Sequence, residues 1–221
     1  MMYPSEIPMR KKIIDEILEK KIVAVVSAAN EDQARKITQA LYDGGITLVA
    51  YSFDLICPES YDKTAKWIRA FSREFKDMVY PGGANIISKE LLYAAMNDMG
   101  QFIISPDADV EVIQQTRRMG LVSLAGAATP TEAKAAYAAG ADFVTIFPCM
   151  SDTPAYLKAI SGVLRNIRFL ATCGADNAVD MIQAGAVGVC IDNGLVNKAW
   201  VDASEYWRIT EKAKELVAKL G

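Results

Sequence analysis

Apolar and polar positions along the chain alternate between two periods. Stretches with apolar residues three and four apart read as amphipathic helices, and short continuous apolar runs read as strands covered on both faces. The same joint links them repeatedly: a helical stretch ends in glycine, and a β-rich run follows within a few residues. Five copies stand out: Gly44-Gly45 before Ile46–Phe53, Gly100 before Phe102–Ser105, Gly120 before Leu121–Leu124, Gly140 before Phe143–Phe147, and Gly185 before Val187–Ile191. Glycine supplies the left-handed residue that stops a helix, so each joint predicts a helix end and a strand start.

Further runs at Ile22–Ser27, Met78–Pro81 and Arg168–Thr172 bring the predicted strands to eight. Helix starts are marked at Asn30, Ser88, Thr129-Pro130-Thr131-Glu132 and Asp176-Asn177. Eight alternating units match a (β/α)8 TIM barrel better than an open doubly wound sheet, which more often uses five or six strands. An extra N-terminal helix, Ser5 to Glu19, leads in, and Ser204 to Leu220 closes the chain. Nothing marks a second domain, so residues 1–221 are read as a single barrel domain. Leu92, Met96 and Met99 are assigned to the core, and Gly82-Gly83 to a tight turn.

Composition narrows the chemistry. Of 221 residues, 52% are hydrophobic and 23% charged, which fits a globular protein and excludes disordered and collagen-like classes. Lys plus Arg is 24 against 27 for Asp plus Glu, and no basic run exceeds Lys20-Lys21, so a nucleic-acid partner is not expected. No apolar stretch approaches the roughly 18 residues that span a bilayer, and the first residues lack a secretory pattern. The expected compartment is the cytoplasm, with no membrane partner. Histidine is absent altogether, which removes serine–histidine and cysteine–histidine pairs and any imidazole metal site. Cys57, Cys149, Cys173 and Cys190 are too far apart for a C-x-x-C motif, so no metal site and no cofactor are expected.

In such barrels function sits where strands end and loops begin. There the chain resembles the bacterial 2-keto-3-deoxy-6-phosphogluconate / 4-hydroxy-2-oxoglutarate aldolases. The resemblance rests on Lys21–Val25, Ala40–Ile46, Phe102–Pro106, Gly126 with Thr129–Glu132, Ala141–Val144 with Ile146–Pro148, and Gly185–Val189. It covers nearly the whole chain. It implies a barrel, usually homotrimeric, that splits a 2-keto-4-hydroxy acid into pyruvate and an aldehyde through a lysine imine.

The pocket departs from that pattern. Thr145 stands where the resemblance implies the imine lysine, and Ala50 where it implies the general-base glutamate. Ser27, Asn85 and Ala125 replace a family arginine, threonine and proline; the phosphate side reads Cys173-Gly174 and Cys190 to Gly194, where Asp192 would repel an anion. Lys89 and Lys158 are placed outside the mouth. Asp54 and Asp192 are the candidate bases, with Asp107 a third; each has a turn or N-cap alternative. The predicted lining is Ser27, Ala50, Ser52, Asn85, Ala125, Thr145, Phe147, Thr172, Cys173, Gly174, Cys190, Asp192 and Asn193. Tyr80 is a possible donor to a carbonyl, while Tyr51 should face the helices. Three functions remain open: a degenerate or rebuilt, even engineered, barrel that binds a small, weakly charged organic ligand; a catalyst using an aspartate base; or a retained lyase.

Overall fold

The computed structural model describes residues 6–96 and 99–221. The order is α1 (Glu6–Lys20), β1 (Ile22–Val26), α2 (Glu31–Asp43), β2 (Leu48–Ser52), α3 (Tyr61–Glu74), β3 (Tyr80–Ala84), α4 (Lys89–Met96), β4 (Phe102–Ser105) and α5 (Val110–Arg118). It continues with β5 (Val122–Ala127), α6 (Pro130–Ala139), β6 (Phe143–Ile146), α7 (Thr153–Val163), β7 (Phe169–Gly174), α8 (Ala178–Gln183), β8 (Gly188–Asn193), α9 (Lys198–Asp202) and α10 (Trp207–Leu220). All eight strands are parallel and pair in chain order, and β8 closes onto β1 through Ile22–Val189, Val23–Cys190 and Ala24–Ile191. This is the (β/α)8 barrel with its extra N-terminal helix. No helix among the described residues is long and apolar enough to cross a membrane.

Local signals explain most of these elements. Asn30 caps α2 by accepting the Gln33 amide at 3.0 Å. Thr129 and Glu132 form a reciprocal capping box at α6, with Pro130 in its first turn. Gly45, Gly120, Gly140 and Gly185 have φ between 76° and 111°, as their stop role requires. The joint at Gly100 differs: there Met99 takes the left-handed angle, φ 77°. Met99 is also 54% exposed rather than core, while Leu92 is buried; the side chain of Met96 lies outside the described residues.

Side chains divide strictly by strand face. Val23, Leu48, Phe102, Leu124, Phe143 and Leu170 fill the barrel interior, and Ile13 and Ile17 of α1 join that cluster from below. Ala24, Val49, Tyr51, Ile103, Val144 and Ile191 face outward and pack with the helices. Tyr51 donates or accepts across 2.8 Å with Thr38 in that layer, as the alternation predicts.

Two boundaries are corrected. The turn expected at Gly82-Gly83 is instead the middle of β3, fully buried. A β-carbon at Gly82 would stand 2.6 Å from the Phe102 ring, so glycine is there to let that ring cross the interior, not to turn the chain. The closing helix begins at Trp207, not Ser204, because a separate short helix, α9, precedes it and Ser204 adopts a left-handed φ of 59°.

α10 seals the outer ring by laying Ile209, Ala213, Leu216 and Leu220 onto the barrel beside α2. Gly44 is the point of closest approach: an added β-carbon would collide with Ala213 and lie 2.9 Å from the Thr210 carbonyl. Gly162, inside α7, has nothing within 4 Å. Gly44→Ala is expected to cost about 1–3 kcal/mol through overpacking. Gly162→Ala should add roughly 0.5–1 kcal/mol through helix propensity. Urea or thermal unfolding of the two variants checks this, and a shift in the same direction for both would contradict the packing described.

Candidate functional site

The interior face changes character toward the C-terminal ends of the strands. Beyond the aromatic and leucine layers it opens into a cavity of about 620 Å³. Six residues expected at the site line it: Ser27, Ser52, Asn85, Phe147, Thr172 and Asp192. Val25 of β1, Ala84 of β3 and Ile104 of β4 form apolar wall. An adjoining groove of about 540 Å³ shares Ser27, Ala28, Ser52 and Asn85 with the mouth.

Ala50, Thr145 and Cys190 belong to the same inward face, each two residues before a lining residue, and so form the layer beneath. All three are at most 1% exposed. The Thr145 hydroxyl has no hydrogen-bond partner among the described residues. Ala125 and Cys173 differ from expectation: they sit one residue out of phase and pack in the outer layer between barrel and helices. Gly174 and Asn193 pair across a β-bulge between Cys173 and Gly174, and neither lines the cavity. The register gives β8 one extra residue there, Asp192, between the partners of Cys173 and Gly174.

Asn85 organises the centre of the mouth. Its φ of 63° lies in the left-handed region, which asparagine tolerates better than most residues. Its side-chain amide donates to Ser52 Oγ at 2.8 Å and to the Phe53 carbonyl at 3.1 Å, tying β3 to β2.

The candidate bases separate. Asp54 is exposed, accepts the Ile56 amide at 3.0 Å in a turn, and borders the groove rather than the main cavity. Asp107 is also outside the lining; burial, then the neighbouring Asp109, pushes its carboxyl up. Asp192 lines the cavity and accepts from the Asn193 amide at 2.9 Å. Tyr80 points inward, but from the N-terminal end of β3, where Lys12 of α1 lies 5.2 Å from its ring. It therefore faces the bottom of the barrel, away from the mouth.

The lysine at the mouth is Lys198, which strand-end inspection missed. It opens α9, a five-residue helix with no strong sequence signal beyond its Asn197 cap, and its Nζ contacts Asp202 at 2.6 Å. Its side chain is 86% exposed. Nucleophilic lysines are activated by desolvation or by a second cation, and Lys198 has neither. Lys89 is bound to Glu111 outside the barrel, and Lys158 is exposed on α7.

Burial drives every thiol in this region upward: Cys149 to about 11 and Cys173 to about 12, with Cys190 higher still. The negative charge of Asp192 adds to each of the three. Among the described residues, no lysine or arginine contributes to the environment of these three thiols, so the positive surroundings that create a reactive thiolate are not supplied. Among the described residues no group of three His, Cys, Asp or Glu could hold a metal ion.

Against known proteins, the family described as KDPG and KHG aldolase matches residues 13–212. A 2-dehydro-3-deoxy-6-phosphogalactonate aldolase from Escherichia coli (strain K12) is 28% identical over 177 residues, covering 79% of this chain and 83% of the relative. A 2-dehydro-3-deoxy-phosphogluconate aldolase from Pseudomonas aeruginosa is 25% identical over 204 residues, 91% of this chain and 90% of the relative. The solved structure described as native KDPGal superposes with a TM-score of 0.74 at 26% identity, covering 89% of this chain and 96% of that one. A KDPG aldolase from Legionella pneumophila, with pyruvate captured as a covalent carbinolamine, has a TM-score of 0.78 at 18% identity, covering 92% and 97%, a likeness of fold alone.

The thiol environments predict a labelling order. Iodoacetamide near pH 8 should modify Cys57 in the folded protein and reach Cys173 and Cys190 only after denaturation. Peptide mass spectrometry checks this, and rapid native labelling of Cys173 or Cys190 would contradict their burial.

Proposed function

The chain belongs to the KDPG and KHG aldolase family, and we propose that it binds a small, weakly charged organic molecule non-covalently in the barrel mouth and does not perform imine-based cleavage. The observation that carries this is the make-up of the inward face. The two positions where the family resemblance implies lysine and glutamate hold a buried threonine and a buried alanine, Thr145 and Ala50. Neither can form an imine or move a proton from carbon.

The lining above them supports the same conclusion. Ser27, Ser52, Asn85 and Thr172 supply neutral hydrogen-bonding groups, and Val25, Ile104 and Phe147 supply apolar surface. A concave, mainly apolar cavity with a few convergent polar groups is the usual form of a small-molecule site. An anionic sugar phosphate would need cations or uncommitted backbone amides at the rim. The lysine at the rim is already ion-paired with Asp202.

Two measurements test the proposal. Incubation with pyruvate and borohydride should leave the intact mass unchanged, and a stable pyruvyl increment would overturn it. Thermal unfolding with neutral cyclic or aromatic compounds should show stabilisation; at about a hundred times Kd this amounts to roughly 2.7 kcal/mol, or about 5–10 °C for a domain of this size. Stabilisation by pyruvate or phosphate, and by no neutral compound, would likewise overturn it.

A further inference from the structure

We propose that the molecule held in the mouth is a small organic amine, bound as its cation, with the Asp192 carboxylate as counter-ion. This rests on the non-covalent binding function proposed above and names the chemical class it selects.

Three charged side chains line the cavity: Asp192, Lys198 and Asp202. Lys198 Nζ lies 2.6 Å from Asp202 Oδ2, so these two neutralise each other. Asp192 accepts from the Asn193 amide and meets no lysine or arginine within ion-pair distance among the described residues. One negative charge is left facing an otherwise neutral cavity. Its field is felt across the ends of β6, β7 and β8, where it helps hold the Cys149, Cys173 and Cys190 thiols protonated.

The remaining polar groups suit an N–H donor. Asn85 commits its amide nitrogen to Ser52 and to the Phe53 carbonyl, so what it has left to offer a ligand is its carbonyl oxygen, an acceptor. The Ser27 and Thr172 hydroxyls accept as readily as they donate. Val25, Ile104 and Phe147 provide surface for the hydrocarbon part of the ligand. An ammonium thus finds its counter-charge, its acceptors and its apolar contact within one cavity, whereas a carboxylate meets repulsion from Asp192.

Calorimetry on the full chain with cyclohexylmethylamine, cyclohexylmethanol and cyclohexanecarboxylate separates the possibilities, since the three share one hydrocarbon and differ in charge. The amine is expected to bind at least about fivefold more tightly than the alcohol at low salt, in line with an exposed charge-assisted contact, and the carboxylate most weakly. The preference should shrink in about 0.5 M NaCl, where screening is strong. Asp192→Asn should bring amine and alcohol to within about twofold of each other, because a neutral amide cannot discriminate between them by charge. Lys198→Ala, which unmasks Asp202, should widen the gap. Equal binding of amine and alcohol to the unaltered protein would overturn the amine assignment while leaving the neutral cavity in place. An amine preference that survives Asp192→Asn would overturn the role of Asp192. Failure of all three compounds to bind would overturn the binding function itself.

Discussion

A strand in a closed barrel has one face inside and one outside, and this two-residue alternation governs everything else in the molecule. With all eight strands parallel and β8 joined to β1, no edge remains where a side chain could escape the choice. Inward residues near the strand starts are large: Phe102, Phe143, Leu124 and Leu170 close the interior. The space they need is released by glycine, since any side chain at Gly82 would meet the Phe102 ring and any at Gly126 would run into the Pro106 carbonyl. Two residues further along the same faces stand Thr145, Gly126 and Thr172, with Ile104 the one large side chain, and the packed interior gives way to a cavity.

Much of this was legible in the sequence because it is local. All eight strands and the helix stops at Gly45, Gly120, Gly140 and Gly185 follow from apolar runs and left-handed glycines. The errors are instructive in physical terms. Gly82-Gly83 carries the composition of a turn, but Gly82 answers to the Phe102 ring on the neighbouring strand and Gly83 to Ala95 of α4, which no local rule detects. Ala125 and Cys173 lie beside strand ends, yet proximity to an end does not determine face; parity does, and both are odd by one.

The site was only partly legible for a related reason. Ser52, Asn85, Phe147, Thr172 and Asp192 lie at or just past strand ends, so position along the chain locates them. Lys198 and Asp202 arrive by a different route: the chain leaves β8, turns, and a short helix carries them back over the opening. That return path depends on tertiary packing of the connection into α10 and has no periodic signature. The polar cost of the region is also invisible in one dimension. Among the described residues, Thr145 Oγ1, Ser105 Oγ and Ser123 Oγ are buried without partners on three successive strands, a burden of about 1–3 kcal/mol for each such group. The packed hydrocarbon around them must outweigh it.

The N-terminal helix has a consequence for traffic. Because Ile13 and Ile17 of α1 belong to the interior cluster, with Lys12 set against Tyr80 at the same end, the barrel is stoppered from below. The aperture above Asn85 is then both entrance and exit. The packed interior beneath the mouth thus makes the C-terminal face the one side from which the cavity is reached.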